Sequence, residues 1–187
     1  MTMPAMLAYT IRTGYSGGSP SLIIGSGKNM TGMNPSNPQD DSYWICILDA
    51  SNPRAKVKDW VVPGANNSAV PAGLDTYMND PKYLFAIATQ YLSTLHVPQG
   101  ALYSFLVQHG AGRELQKLEQ LCSVLSCGSY SHVNYIFTGS CGPQQNGGSS
   151  YESSSFLDNS ASIMMKSLMP LPNGSPPYSV CDSYSFG

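Results

Sequence analysis

Apolar residues fall into short runs through the first half of the chain and into helical stripes after residue 98. Leu7 to Thr13 and Ser21 to Gly25 are β-prone and are split by the turn chemistry of Gly14-Tyr-Ser-Gly-Gly-Ser-Pro20. A Gly-, Asn- and Pro-rich stretch from Gly25 to Ser42 follows. It is long for a loop in a compact domain and is expected to act as a contact arm or binding loop. Tyr43-Trp-Ile-Cys-Ile-Leu48 is an unbroken apolar run, which predicts a strand buried on both faces. Asp49 to Pro53 predicts a turn, and Lys58 to Val62 a second strand stopped by Pro63-Gly64. Gly73 to Met78 fits one helical turn with Tyr77 and Met78 facing inward, and Tyr83 to Thr89 a third buried strand.

Helical periodicity then takes over. Pro98 is placed as a first-turn proline, followed by Leu102, Phe105, Leu106 and His109 at helical spacing, with Gly110 and Gly112 as the stop. A second helix is predicted from Arg113 to Leu125, its stripe formed by Leu115, Leu118, Cys122 and Leu125. Val133 to Thr138 returns to strand, Gly139 to Ser155 reads as a low-complexity loop, Ser160 to Leu168 as one more strand, and the tail after Met169 as extended. The expected fold is α+β, a β-rich mixed sheet or sandwich with two adjacent central helices and extended terminal arms. The chain divides into N-terminal strands and contact loop (1–42), a central core (43–142) and a Gly/Ser/Pro-rich extension (143–187), one domain overall.

Charge changes the picture most. Only 11% of the residues are Asp, Glu, Lys or Arg, against about a quarter in ordinary globular domains. Residues 121–187 carry four, Glu152, Asp158, Lys166 and Asp182. A polar but weakly repelling surface suits a protein that sits against other protein or is displayed outside a cell. The net charge of −2 argues against a nucleic-acid partner, and the one basic cluster, Arg54, Lys56 and Lys58, reads as a solvated turn. No run approaches the length of a membrane span. Met1 to Tyr9 lacks the charged start and long apolar core of a secretory signal.

The motifs that carry chemistry fail one by one. Ile23-Ile-Gly-Ser-Gly-Lys28 resembles a phosphate loop, but Leu22 stands where its first glycine belongs and Asn29 where its Ser/Thr belongs. Gly139-Ser-Cys-Gly142 is one residue short of a nucleophile elbow. His96, His109 and His132 show no spacing that singles out a partner, so a Ser or Cys hydrolase ranks last among the functional readings. The spacing Cys122, Cys127, His132, Cys141 invites zinc, but Cys122 falls on the apolar helical stripe and points into the core. Cys46, Cys127 and Cys141 are therefore expected as core thiols or as members of a disulfide, since five cysteines exclude complete internal pairing. No metal or other cofactor is expected. The aromatic residues are better material: Trp60 and Tyr77, with Asp75 beside them, combine apolar faces with hydrogen-bonding groups, as sugar-binding surfaces and protein interfaces do.

Between residues 44 and 142, Trp44-Ile-Cys-Ile-Leu48, Leu74-Asp-Thr-Tyr77, Leu84-Phe-Ala-Ile-Ala88, Leu125-Ser-Cys-Gly-Ser129 and Tyr135-Ile-Phe-Thr-Gly139 occur in an order that resembles the interleukin-like EMT-inducer (PANDER-like) domain. The resemblance implies a non-enzymatic domain, in a family some of whose members bind carbohydrate. That family often carries acidic residues after the buried strand, where Thr89-Gln-Tyr91 stand here. The expected function is a non-enzymatic structural or accessory protein of a large assembly, a virion component such as a phage capsid or tail protein. Its partners are then itself and other subunits, at a virion or extracellular surface. A carbohydrate- or receptor-binding module is the alternative.

Overall fold

The computed structural model describes residues 5–125, 132–142, 149–156 and 160–182. The protein is mostly β, with two sheets and few helices, arranged as three layers.

The middle layer is the larger sheet. Its strands are β4 (Ser42–Asp49), β5 (Asn52–Pro63), β6 (Tyr83–Gln90), the two-residue β7 (Leu92–Ser93), β8 (His132–Ser140) and β9 (Ser150–Ser155). The order runs β5, β4, β6, β8. All neighbours are antiparallel, β7 pairs with the start of β8, and β9 adds to β8. The uninterrupted apolar run of β4 follows from this central place. Tyr43, Ile45 and Ile47 enter one core, while Trp44, Cys46 and Leu48 enter the other. The neighbouring β6 does the same, with Phe85 and Ile87 on one side and Leu84, Ala86 and Ala88 on the other.

The second layer is a smaller antiparallel sheet of β1 (Leu7–Arg12), β2 (Ser21–Ile24), β3 (Thr31–Met33), β10 (Ile163–Met169) and β11 (Ser179–Cys181), in the order β11, β10, β1, β2, β3. Tyr9, Ile11, Leu22, Ile24, Met164, Leu168 and Val180 point from it onto the large sheet. The Tyr9 hydroxyl meets Thr138 Oγ1 at 2.8 Å inside this core. The third layer is helical: α1 (Leu74–Met78), α2 (Gly100–Gln108) and α3 (Arg113–Leu125). Leu74, Met78, Leu102, Phe105, Leu106, Leu115 and Leu118 cover the opposite face of the large sheet.

Several expectations are corrected. The expected extended terminal arms contain paired strands, because β1 pairs with β10 from Leu7↔Leu168 to Arg12↔Ile163 and strands from the first and last parts of the described chain lie in one sheet. The stretch 25–42 contains β3 and a 3-10 turn at Gly27–Asn29. Arg54, Lys56 and Lys58 lie on a strand, since β5 begins at Asn52 rather than Lys58. The serine-rich segment Ser150–Ser155 is a strand. Finally, α2 starts two residues after Pro98, with Gln99 as its N-cap. The Gln99 N–H bonds the Asn67 carbonyl at 2.9 Å, so a tertiary tether sets the start of this helix.

Candidate functional site

Trp60 lies opposite Ile45 in the β4–β5 register, which puts its ring on the helical side of the large sheet. There it meets Tyr77 of α1 edge to face, ring centroids 5.8 Å apart. Tyr77 in turn meets Tyr83, at the start of β6, at 5.2 Å. The three half-buried rings form one row across the end of the helical layer, and the Lys58 ammonium lies 5.9 Å from the Trp60 ring centre. Asp75 is exposed on α1, where its carbonyl accepts the Asn79 backbone and side-chain N–H groups at 3.1 and 2.9 Å.

At the Tyr83 end the row opens onto a cleft of about 580 Å³ lined by Asp49, Ser51, Pro81, Lys82, Tyr83 and Pro177. Asp49 Oδ1 accepts the Ser51 hydroxyl at 2.7 Å and its backbone N–H at 2.8 Å, and these bonds hold its carboxyl below the ordinary carboxylate range. Sequence reasoning singles out Trp60 and Tyr77 but misses Tyr83 and the cleft. Tyr83 is hidden at the head of an apolar strand, and Pro177 comes from the far end of the chain. The available signal is the Asp80-Pro-Lys82 turn, which places an aromatic residue at a strand mouth.

The histidines sit in three unrelated settings. His96 Nδ1 lies 2.6 Å from Asp41 Oδ2, and Asp41 Oδ1 accepts the Ser93 N–H at 3.0 Å. The His96 carbonyl accepts the Tyr43 hydroxyl. Asp41 has φ +54°, and a Cβ on Gly64 would stand 2.5 Å from Asp41 Oδ1 and 2.9 Å from His96 Nδ1, so a larger residue there would displace the Asp41–His96 pair. The contact ties the 3-10 turn Thr94–His96 to the entry of β4. His109 closes α2 against Phe105, and burial lowers its pKa. His132 stacks on Tyr91 with ring centroids 3.5 Å apart.

Cys46 and Cys141 are free and buried in different cores, on opposite faces of the large sheet. Burial pushes the Cys46 thiol up to about 12 and the Cys141 thiol upward as well, which removes the thiolate that nucleophilic chemistry needs. Cys127 lies outside the described residues. Among the described residues no His, Cys, Asp and Glu side chains gather in threes as a metal site requires. No described helix is long and apolar enough to cross a membrane.

A second surface lies on the other side of the molecule. The outward positions of β10 are Ile163, Met165, Ser167 and Met169; Ile163 is 61% and Met165 67% exposed. Across the register, Thr10, Ala8 and Ile23 continue this face, and Arg12 stands opposite Ile163. The chain matches no protein-family model and none of the curated proteins.

Proposed function

We propose that this protein is a non-enzymatic structural or accessory component of a large assembly, of the kind that builds virions or their capsid and tail parts. It acts as an α+β domain that makes contacts with copies of itself and with other subunits. The observation that carries the reading is the outer face of the small sheet. Ile163, Met165 and Met169 are exposed in alternation along one central strand, so their side chains form a stripe rather than scattered singles. Low charge supports the same reading, because 11% charged residues leave little desolvation cost when such a face is covered. Oxidative footprinting of methionines tests it. Met165 should oxidise readily in dilute protein and become protected in the assembled state, while Met164, 7% exposed in the core, stays protected in both. Equal oxidation of Met165 under both conditions counts against the reading.

The aromatic row favours a second reading, a carbohydrate- or receptor-binding module. Trp60, Tyr77 and Tyr83 offer ring faces and hydroxyls beside an open cleft, and the resemblance to the interleukin-like EMT-inducer domain points the same way. Glycan-array binding that is lost in Trp60→Ala and Tyr77→Ala supports this reading, and no binding by the wild type removes it.

A further inference from the structure

The outer face of the small sheet is rich in one kind of side chain. Met165 stands within the β10 stripe, 67% exposed, with Thr10 across from it in the register. Met169 is exposed at the end of β10, and Met6 is exposed just before β1. Met6 precedes Leu7 and Met169 follows Leu168, its partner in the register, so the two meet at one end of the β1–β10 ribbon. Met33, Met78 and Met164 are buried in the cores instead. Strand alternation thus hides the Met164 sulfur and presents that of its neighbour Met165 to solvent. Thioethers are flexible and polarisable, which suits a contact face that adapts to what covers it. Their sulfur is also open to two-electron oxidation.

We propose that oxidation of Met165, Met169 and Met6 by a peroxide is a redox switch on this face, one that keeps the oxidised chain from associating. The inference rests on the self-association proposed above for the same face. A sulfur lone pair attacks one peroxide oxygen, an S–O bond forms as the O–O bond breaks, and the second oxygen leaves as water after proton transfer. Sulfur loses two electrons and the peroxide gains them. The product is a sulfoxide, a strong acceptor that water satisfies on the free chain and that an apolar contact leaves unpaired. Arg12, the cation on this face, already lies 5.5 Å from the Tyr15 ring centre. A sulfoxide reductase with a dithiol returns both electrons and releases the oxygen as water, so the switch is reversible. Covering the face shields the sulfurs, so the switch acts before association and not after it.

The test oxidises wild-type protein partially with hydrogen peroxide while dilute, removes the peroxide, concentrates the sample and separates it by size. Mass spectrometry then locates the added oxygen in each fraction. Met165 sulfoxide should be enriched about tenfold in the single-chain fraction, with Met169 and Met6 enriched less. Met30, exposed at the turn before β3 and outside the stripe, should be oxidised equally in both fractions. Methionine sulfoxide reductase should return the single-chain fraction to the associated one. Met165→Leu combined with Met169→Leu and Met6→Leu should associate as well after peroxide as before. The proposal is overturned if Met165 sulfoxide is as abundant in the associated fraction, if the reductase restores nothing, or if the leucine variant loses association on treatment. An unoxidised wild type that never leaves the single-chain fraction overturns the self-association reading itself, and the switch with it.

Discussion

Asp59 joins three parts of the protein through one carboxylate. It accepts the indole N–H of Trp44 at 3.2 Å, the Lys56 ammonium at 3.0 Å and the Ser36 N–H at 3.3 Å, so the loop after β3 is tied to the edge of the large sheet. Burial acts to raise its pKa, but the hydrogen bonds from Lys56 and Trp44 and the lysine charge outweigh it, and the group stays ionised below the usual carboxylate range. Asp59→Ala leaves the N–H of a fully buried tryptophan unpaired. It should therefore cost about 1–3 kcal/mol in denaturant unfolding; a loss within error of zero would show that the Trp44 bond is not stabilising. His109 titrates in the opposite sense. Its folded pKa lies below the ordinary 6.5 because burial disfavours the charged ring. The unfolded chain therefore takes up the proton first, and stability falls as pH drops below 6.5 towards the folded pKa. The difference in unfolding free energy between wild type and His109→Gln should shrink across that range. The Asp41–His96 pair is common to both proteins and cancels in the comparison.

At the scale of elements, α3 is capped from another part of the chain. Glu152 of β9 accepts the N–H groups of Gly112, Glu114 and Leu115 at 2.8, 3.3 and 3.3 Å, and the Tyr135 hydroxyl at 2.6 Å. The carboxylate thus sits at the positive end of the helix and satisfies first-turn donors that have no partner within the helix itself. Glu152→Ala should cost about 1–2 kcal/mol of stability and loosen α3 first, read as faster amide exchange at residues 113–118; unchanged exchange there would contradict the cap. This bond also explains why β9 is illegible in the sequence. Its residues, Ser-Tyr-Glu-Ser-Ser-Ser, show no apolar alternation, and they are held by pairing with β8 and by Glu152 rather than by burial. β4, β6 and α3 are legible because each buries a run or stripe whose period states its geometry. β3 has three residues and too little pattern to announce itself. The aromatic row is half legible on the same grounds: Trp60 and Tyr77 stand among polar neighbours, whereas Tyr83 is masked by its strand, and the cleft requires a wall from the end of the chain.

At the scale of the whole molecule, the three layers sort the surfaces by chemistry. The helical side carries the charged residues of α3 and the aromatic row, while the small sheet turns the apolar outer positions of β10 outward, with Arg12 as the charged residue beside them. That sheet unites the first and last strands, β1 and β11, so covering its outer face would also hold these strands together. On the proposed function, the charge-poor composition and the exposed Ile163–Met169 stripe describe one property, a surface that other subunits cover. Multi-angle light scattering over a wide concentration range measures this most directly, with wild type beside a variant carrying Ile163→Lys and Met165→Lys. The expected result is a wild-type mass that rises above the 20.0 kDa of a single chain, while the folded variant stays at one chain. A wild-type protein that remains a 20.0 kDa monomer at every concentration would contradict self-association through this face.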